Sequence, residues 1–100
     1  MGKFDFKSGH IVCDKFYIDL DKPFIQQLYC LNEDLYLVEY GKEYLLELGW
    51  YPKHDIYGHF LIQVIYKELW DKPLFYRCCR TKSDLIYGLN EAIDYVENLM

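Results

Sequence analysis

The sequence predicts an α+β domain: an antiparallel sheet of five or six strands, a long C-terminal helix and a short helix near residues 22–32. Three observations lead there. Several short stretches alternate apolar and polar residues with the period of two of a half-buried strand. A Gly41-Lys42 pair joins two such stretches, as a tight hairpin requires. From Thr81 onward the apolar period becomes helical.

The elements follow in order. In "KFDFK" the aromatics alternate with charges, and "KFYIDL" sets Phe16, Ile18 and Leu20 on one side, so two N-terminal strands are expected. "DKPFIQQLYCLNE" then changes period, with Phe24, Leu28, Leu31 and Leu35 at helical spacing. Asp21 stands where an N-cap is wanted, and Pro23 falls in the first turn, where its missing N–H is harmless. "DLYLVEYGKEYLLELGW" reads as a hairpin closed by a two-residue type II′ turn at Gly41-Lys42, with Tyr40 opposite Glu43. That register places Leu35, Leu37, Tyr44, Leu46, Leu48 and Trp50 on the core face. It leaves Tyr36, Val38, Tyr40, Glu43, Leu45 and Glu47 on the other.

"HFLIQVIY" is apolar on both faces except at Gln63, the mark of an interior strand, and "LFYRCCR" follows as a further strand with Pro73 just ahead of it. The closing helix carries Leu85, Leu89, Ile93, Val96 and Met100 on one stripe, with Ile86, Ala92 and Leu99 beside it. Thr81 and Asp84 have capping-box spacing. Gly88 inside this helix implies a close approach to the sheet, since glycine costs about 1 kcal/mol relative to alanine there.

One hundred residues suit a single domain, 1–100, with one hydrophobic core. Sixteen acids against eleven bases give a net charge of −5, which disfavours a nucleic-acid backbone as ligand and suits a basic partner, or simply keeps the chain dissolved. No apolar run reaches the length of a membrane span, and "MGKFDFKSGH" lacks a signal-peptide core, so an unexported chain without membrane association is expected. Gly2 does not open a myristoylation motif, because Phe6 stands where Ser or Thr is needed. Cys13, Cys30, Cys78 and Cys79 show no disulfide framework, which points to a reducing compartment. Cys78 and Cys79 occupy consecutive strand positions and face opposite ways.

His54, Asp55 and His59 are the first candidates for acid–base chemistry, and no serine or cysteine nucleophile stands beside them. The three histidines and four cysteines form no ligand pair of metal-site spacing, so neither metal nor cofactor is expected. A basic stripe, an RNP pattern and a glycine-rich phosphate loop are all lacking. Chain direction through the hairpin instead gathers Glu33-Asp34, the loop from Tyr51 to Gly58 and the Arg80-to-Asp84 junction at one end of the sheet. Acids and tyrosines there suit a recognition surface, with a rim that only covers the core as the plainer reading.

In "ELGWYPKHDIYGHFLIQVIYKELWDKPL", a strand ends in Gly-Trp-Tyr-Pro, an acidic turn with Gly58 precedes a hydrophobic strand, and Trp70, Pro73 and a closing helix follow. Over residues 35–100 this pattern resembles small bacterial immunity proteins of contact-dependent growth inhibition and related polymorphic toxin systems. Residues 1–34 lie outside it. The resemblance implies a cytoplasmic inhibitor, not an enzyme, that binds one cognate toxin domain, often a nuclease, and blocks its active site; no common catalytic residues come with it. The sheet-end geometry makes Glu33, Asp34, Tyr51, His54, Asp55 and Tyr57 the candidate partner-binding residues, on a monomer or weak dimer. Two alternatives stay open: a small enzyme using His54 or His59, and a regulatory adaptor domain.

Overall fold

The computed structural model describes residues 4–100. Strands β1 (His10–Asp14), β2 (Tyr36–Tyr40), β3 (Tyr44–Tyr51), β4 (His59–Tyr66) and β5 (Phe75–Cys79) form one sheet in the order β1-β2-β3-β4-β5, every neighbouring pair antiparallel. A 3-10 helix covers Phe24–Cys30 and helix α1 covers Lys82–Leu99. This is the α+β fold that the periodicities predict.

Helix α1 packs on β3, β4 and β5 through Leu85, Leu89, Ala92, Ile93 and Val96, all buried. Thr81 caps it, its hydroxyl accepting the Asp84 N–H at 3.1 Å. A Cβ at Gly88 would lie 2.9 Å from Ile62 Cδ1, so glycine sits where helix and sheet approach closely. Met100, Leu99 and Ile86 are exposed, because the stripe leaves the sheet at the last turn and at its flank.

The helix leaves β1 and β2 uncovered on this face, and the N-terminal third of the chain fills the gap. Phe16, stacked 5.6 Å from Tyr36 and 6.4 Å from Phe60, is buried with Phe6, Ile18 and Leu31. Phe24 meets Trp50 edge-on at 5.5 Å, and Trp50 meets Phe60 likewise at 4.9 Å. Edge-to-face pairs align ring quadrupoles and add about 0.5–1.5 kcal/mol each beyond burial. The segment outside the family resemblance therefore completes the core.

Three local expectations are corrected. The alternation in "KFDFK" and "KFYIDL" reports burial without strand pairing; Lys3 lies outside the described residues, Phe6, Phe16 and Ile18 are buried, and Leu20 is half-buried. The chain leaves the sheet after Lys15 N–H bonds Leu35 O at 2.8 Å and then runs over the core. The N-terminal strand is instead "HIVCD", an edge strand whose register slips between Ile11 and Cys13, which hides its alternation.

The short helix is in place but is 3-10, and it is kinked where Gln27 takes φ −141°. The Gln27 side chain is buried and bonds the Asp19 peptide on both sides, accepting its N–H and donating to its carbonyl, each at 2.8 Å. A buried amide must be satisfied, and here that outweighs a regular α-helix. Pro23, not Asp21, is the N-cap, and no side chain caps the helix; the Asp21 carboxylate instead accepts Lys82 Nζ at 2.6 Å.

The hairpin turn is one residue longer than expected. Tyr40 pairs with Tyr44 across Gly41, Lys42 and Glu43, so Leu37 faces Glu47 and Val38 faces Leu46. The slip flips β2: Tyr36, Val38 and Tyr40 are buried in the core, while Leu37 moves to the open face. The assignment of β3 stands, with Leu46, Leu48 and Trp50 buried and Tyr44 half-buried. Gly41 has φ +64°, a conformation that costs an L-residue roughly 1–2 kcal/mol. Gly41→Val is expected to lower stability by about that amount or somewhat more, and Lys42→Ala by a few tenths of a kcal/mol at most, in urea melts.

Burial also sets the alkaline limit of the fold. Burial, with a smaller contribution from Asp14, pushes Tyr36 up to about 12, and burial, aided by Asp84 and Cys78, pushes Cys79 up to about 11. The unfolded chain releases these protons near 10 and 9, so only above pH 9 does it bind fewer protons than the fold. Their contribution to stability is complete below pH 9 and drains away as pH rises toward 12. Urea midpoints are expected to hold from pH 7 to 8.5 and to fall steadily at pH 10 and 11; constant midpoints across that range would contradict this burial.

Candidate functional site

The start of β2, the β3–β4 connection and the end of β5 lie at one end of the sheet, as antiparallel order demands. Glu33 and Asp34 are exposed just ahead of β2. The β3–β4 loop is built from its own backbone: Trp50 Nε1 donates to Asp55 O at 2.8 Å, and Asp55 Oδ1 accepts the Tyr57 N–H at 2.8 Å. Arg80, from the end of β5, donates to the Gly58 and Ile56 carbonyls and lies over the Trp50 ring, 5.9 Å from its centroid. A buried indole and a guanidinium thus hold the loop by its carbonyls. The result is a fixed platform from which Tyr57 projects, 86% exposed.

His54 joins this platform to the Glu33-Asp34 turn. Its N–H donates to Leu31 O at 2.7 Å and its Nε2 lies 3.0 Å from Asn32 Oδ1, while Trp50 N–H reaches Asn32 O at 2.8 Å. His54 holds φ +62°, and the Asn32 pairing gives its ring a structural partner in place of a carboxylate. His59 pairs with Tyr51 across the β3–β4 ladder. Among the described residues no group of three or more His, Cys, Asp or Glu side chains is placed to hold a metal ion. No helix of the described residues is long and apolar enough to cross a membrane.

Tyr51 turns away from the loop. Its ring lies across Gly49, and its hydroxyl donates to Glu47 Oε2 at 3.0 Å and approaches Glu33 O at 3.4 Å. Burial, then the charge and hydrogen bond of Glu47, hold its hydroxyl well above the ordinary phenol value. Of the six candidates, Glu33, Asp34, His54, Asp55 and Tyr57 share the sheet end, and Tyr51 connects that end to the open face.

The open face carries Leu37, which a two-residue turn would have set on the core side, beside Leu45 and Glu47. Leu37, Leu45, Glu47, Leu61 and Gln63 point away from α1, and Gln63 Nε2 donates to Glu47 Oε1 at 2.7 Å. Lys67 and Glu68, at φ +50° and +60°, turn the chain after β4 back over this face. Trp70 then forms one wall of a groove of about 440 Å³ shared with Cys13, Leu37, Asp34 and Glu47. A second recess of about 260 Å³, between Lys15, Asn32, Glu33, Asp34 and Lys53, shares Asp34 and Lys15 with the groove. The two depressions meet at the sheet end. The hidden signal was the hairpin length: with three turn residues instead of two, Leu37 and Glu47 fall on one face.

No protein-family model, curated protein or solved structure matches this chain.

Proposed function

We propose that the protein is an immunity-type inhibitor that binds a basic toxin domain in the cytoplasm and covers its active site. One observation carries this reading: exposed Glu33 and Asp34 stand beside a braced loop that projects Tyr57, all at one end of a chain with net charge −5. Hydrogen bonds within the fold already orient this surface, so little ordering entropy is lost when a partner docks. Acids steer a basic partner in and an exposed tyrosine supplies contact area, a division of labour common to protein interfaces. The pattern of residues 35–100 supports the immunity reading, and the absence of a nucleophile beside His54 or His59 gives an enzyme no comparable support.

The test uses the toxin domain encoded beside this chain, purified as an inactive variant. Asp34→Lys is expected to slow association about tenfold at low salt, an effect that shrinks as ionic strength rises. Asp55 also supports the loop through Tyr57 N–H, so Asp55→Asn, which keeps an acceptor there, is the appropriate partner variant. Tyr57→Ala is expected to raise the off-rate with the melting temperature unchanged, since the ring is exposed. Association unaffected by the charge changes, in stopped-flow traces at low salt, would overturn the assignment of this surface.

A further inference from the structure

The groove on the open sheet face adjoins the acidic sheet end through Lys15 and Asp34. We propose that the groove on the open sheet face seats an arginine side chain of the protein partner, the guanidinium lying against Trp70 and bonded to Glu47. This deepens the proposed function and rests on it for the partner being a protein.

The lining selects the occupant. Leu37 and Cys13 form an apolar floor, Trp70 offers an aromatic wall that is 44% exposed, and Asp34 and Glu47 supply carboxylates. With Lys15 at the rim, two carboxylates against one ammonium leave the lining with one net negative charge. An anion is repelled by such a site, and a purely apolar group would strand Glu47 under it without water. A flat cation with an aliphatic stem meets every wall at once. Guanidinium stacks on an indole face and presents paired N–H donors to a carboxylate, whereas a lysine ammonium is a compact, strongly hydrated charge that does neither as well.

Glu47 is prepared for that role. Gln63 Nε2 bonds one of its oxygens and the Tyr51 hydroxyl the other, so the carboxylate is fixed in place. An ionised carboxylate has about four lone-pair sites, and two donors leave room for a bidentate guest. The groove's volume, about 440 Å³, lies within the roughly 300–1,000 Å³ range of small-ligand pockets. Its contact with the Asn32–Asp34 recess lets one partner lie across the acidic sheet end and reach the groove with a single side chain. Exposed Leu74 and Tyr76 extend the apolar surface along β5.

The two tryptophans make the test internal. Trp70 lines the groove, while Trp50 is fully buried with its Nε1 bonded to Asp55 O. The full chain, labelled with nitrogen-15, is titrated with the capped tripeptides acetyl-Gly-Arg-Gly-amide, acetyl-Gly-Lys-Gly-amide and acetyl-Gly-Glu-Gly-amide while both indole N–H resonances are followed. The arginine peptide is expected to move the Trp70 resonance saturably in the millimolar range and to leave Trp50 in place. The lysine peptide is expected to bind several-fold more weakly, and the glutamate peptide not at all. Glu47→Gln, which retains a carbonyl for one of its two donors, is expected to weaken arginine binding at least about tenfold. Trp70→Leu, in an exposed loop, is expected to weaken it as well, read from the Leu37 methyl resonances. An unmoved Trp70 resonance, equal shifts with the glutamate peptide, or unchanged affinity in both variants would overturn the groove assignment. If arginine binding fails while the toxin domain still binds through Asp34 and Tyr57, the groove alone is wrong. If the peptide binds and no toxin domain does, the immunity reading is wrong and the groove stands.

Discussion

Gly49→Val is expected to destabilise the protein by about 3 kcal/mol and to disorganise both depressions together. A Cβ at this position would fall inside the van der Waals shell of the Glu33 carbonyl oxygen and 2.8 Å from the Tyr51 ring. Neither neighbour yields cheaply. Glu33 is held by backbone bonds on both sides, Asn32 O to Trp50 N–H and Leu35 N–H to Leu48 O, and the Tyr51 ring is fixed through its hydroxyl to Glu47. Urea melts measure the loss. The accompanying sign is a shift of the Asn32 side-chain amide resonances, because the strand can admit a side chain only by pushing the Asn32–Asp34 turn outward. A Gly49→Val protein that melted within 0.5 kcal/mol of the parent, the range of ordinary surface changes, would mean that Glu33 does not cross β3 so closely.

Trp50→Ala is expected to cost about 3–5 kcal/mol, the range for emptying a buried aromatic site. Trp50 is fully buried between Phe24 and Phe60, so no solvent fills the vacancy favourably. Trp50→Phe separates packing from anchoring. It retains a ring against Phe60 yet removes the bond from Nε1 to Asp55 O, leaving that carbonyl dependent on water. The expected cost is about 1–2 kcal/mol, together with faster amide hydrogen exchange across residues 53–57. Equal losses for the alanine and phenylalanine variants would assign the whole effect to the hydrogen bond and none to the cavity.

Strands β2 to β5 were legible because burial writes a period into the chain. In β4, Phe60, Ile62 and Val64 face α1, and the buried Ile65 explains why its other side also reads as apolar. In α1 the stripe, the Thr81 cap and the role of Gly88 were readable from spacing alone. Periodicity reports which side is buried, not what lies against it. Phe16 and Ile18 alternate as strand residues do while packing as a cover with no ladder, and Gln27 looks helical in pattern until its amide takes the Asp19 peptide as partner. The hairpin register has a single cause: β2 is apolar on both faces, with Tyr36, Val38 and Tyr40 on one and Leu37 on the other, so its pattern does not choose between registers, and the turn alone decides. For the candidate site, chain direction gathered the acidic end from sequence, but setting Leu37 beside Glu47 required the correct register, and bringing Trp70 to them required the fold-back of the β4–β5 loop.

The way the last turns of α1 are held has a consequence for anything attached beyond them. Lys7 Nζ bonds Asp94 at 3.0 Å, and Ser8 donates its N–H to the Glu97 carboxylate at 3.0 Å, so residues 7 and 8 clasp the last turns of α1. Helix direction carries those turns away from Arg80 toward Gly41, whose position adjoins Met100. The C-terminal end of α1 therefore lies at the pole of the molecule opposite Asp34, Asp55 and Tyr57. A tether, a fluorescent fusion or further polypeptide joined after Met100 departs from that pole. Captured by its C-terminus on a sensor surface, the protein would hold its acidic pole toward the solution.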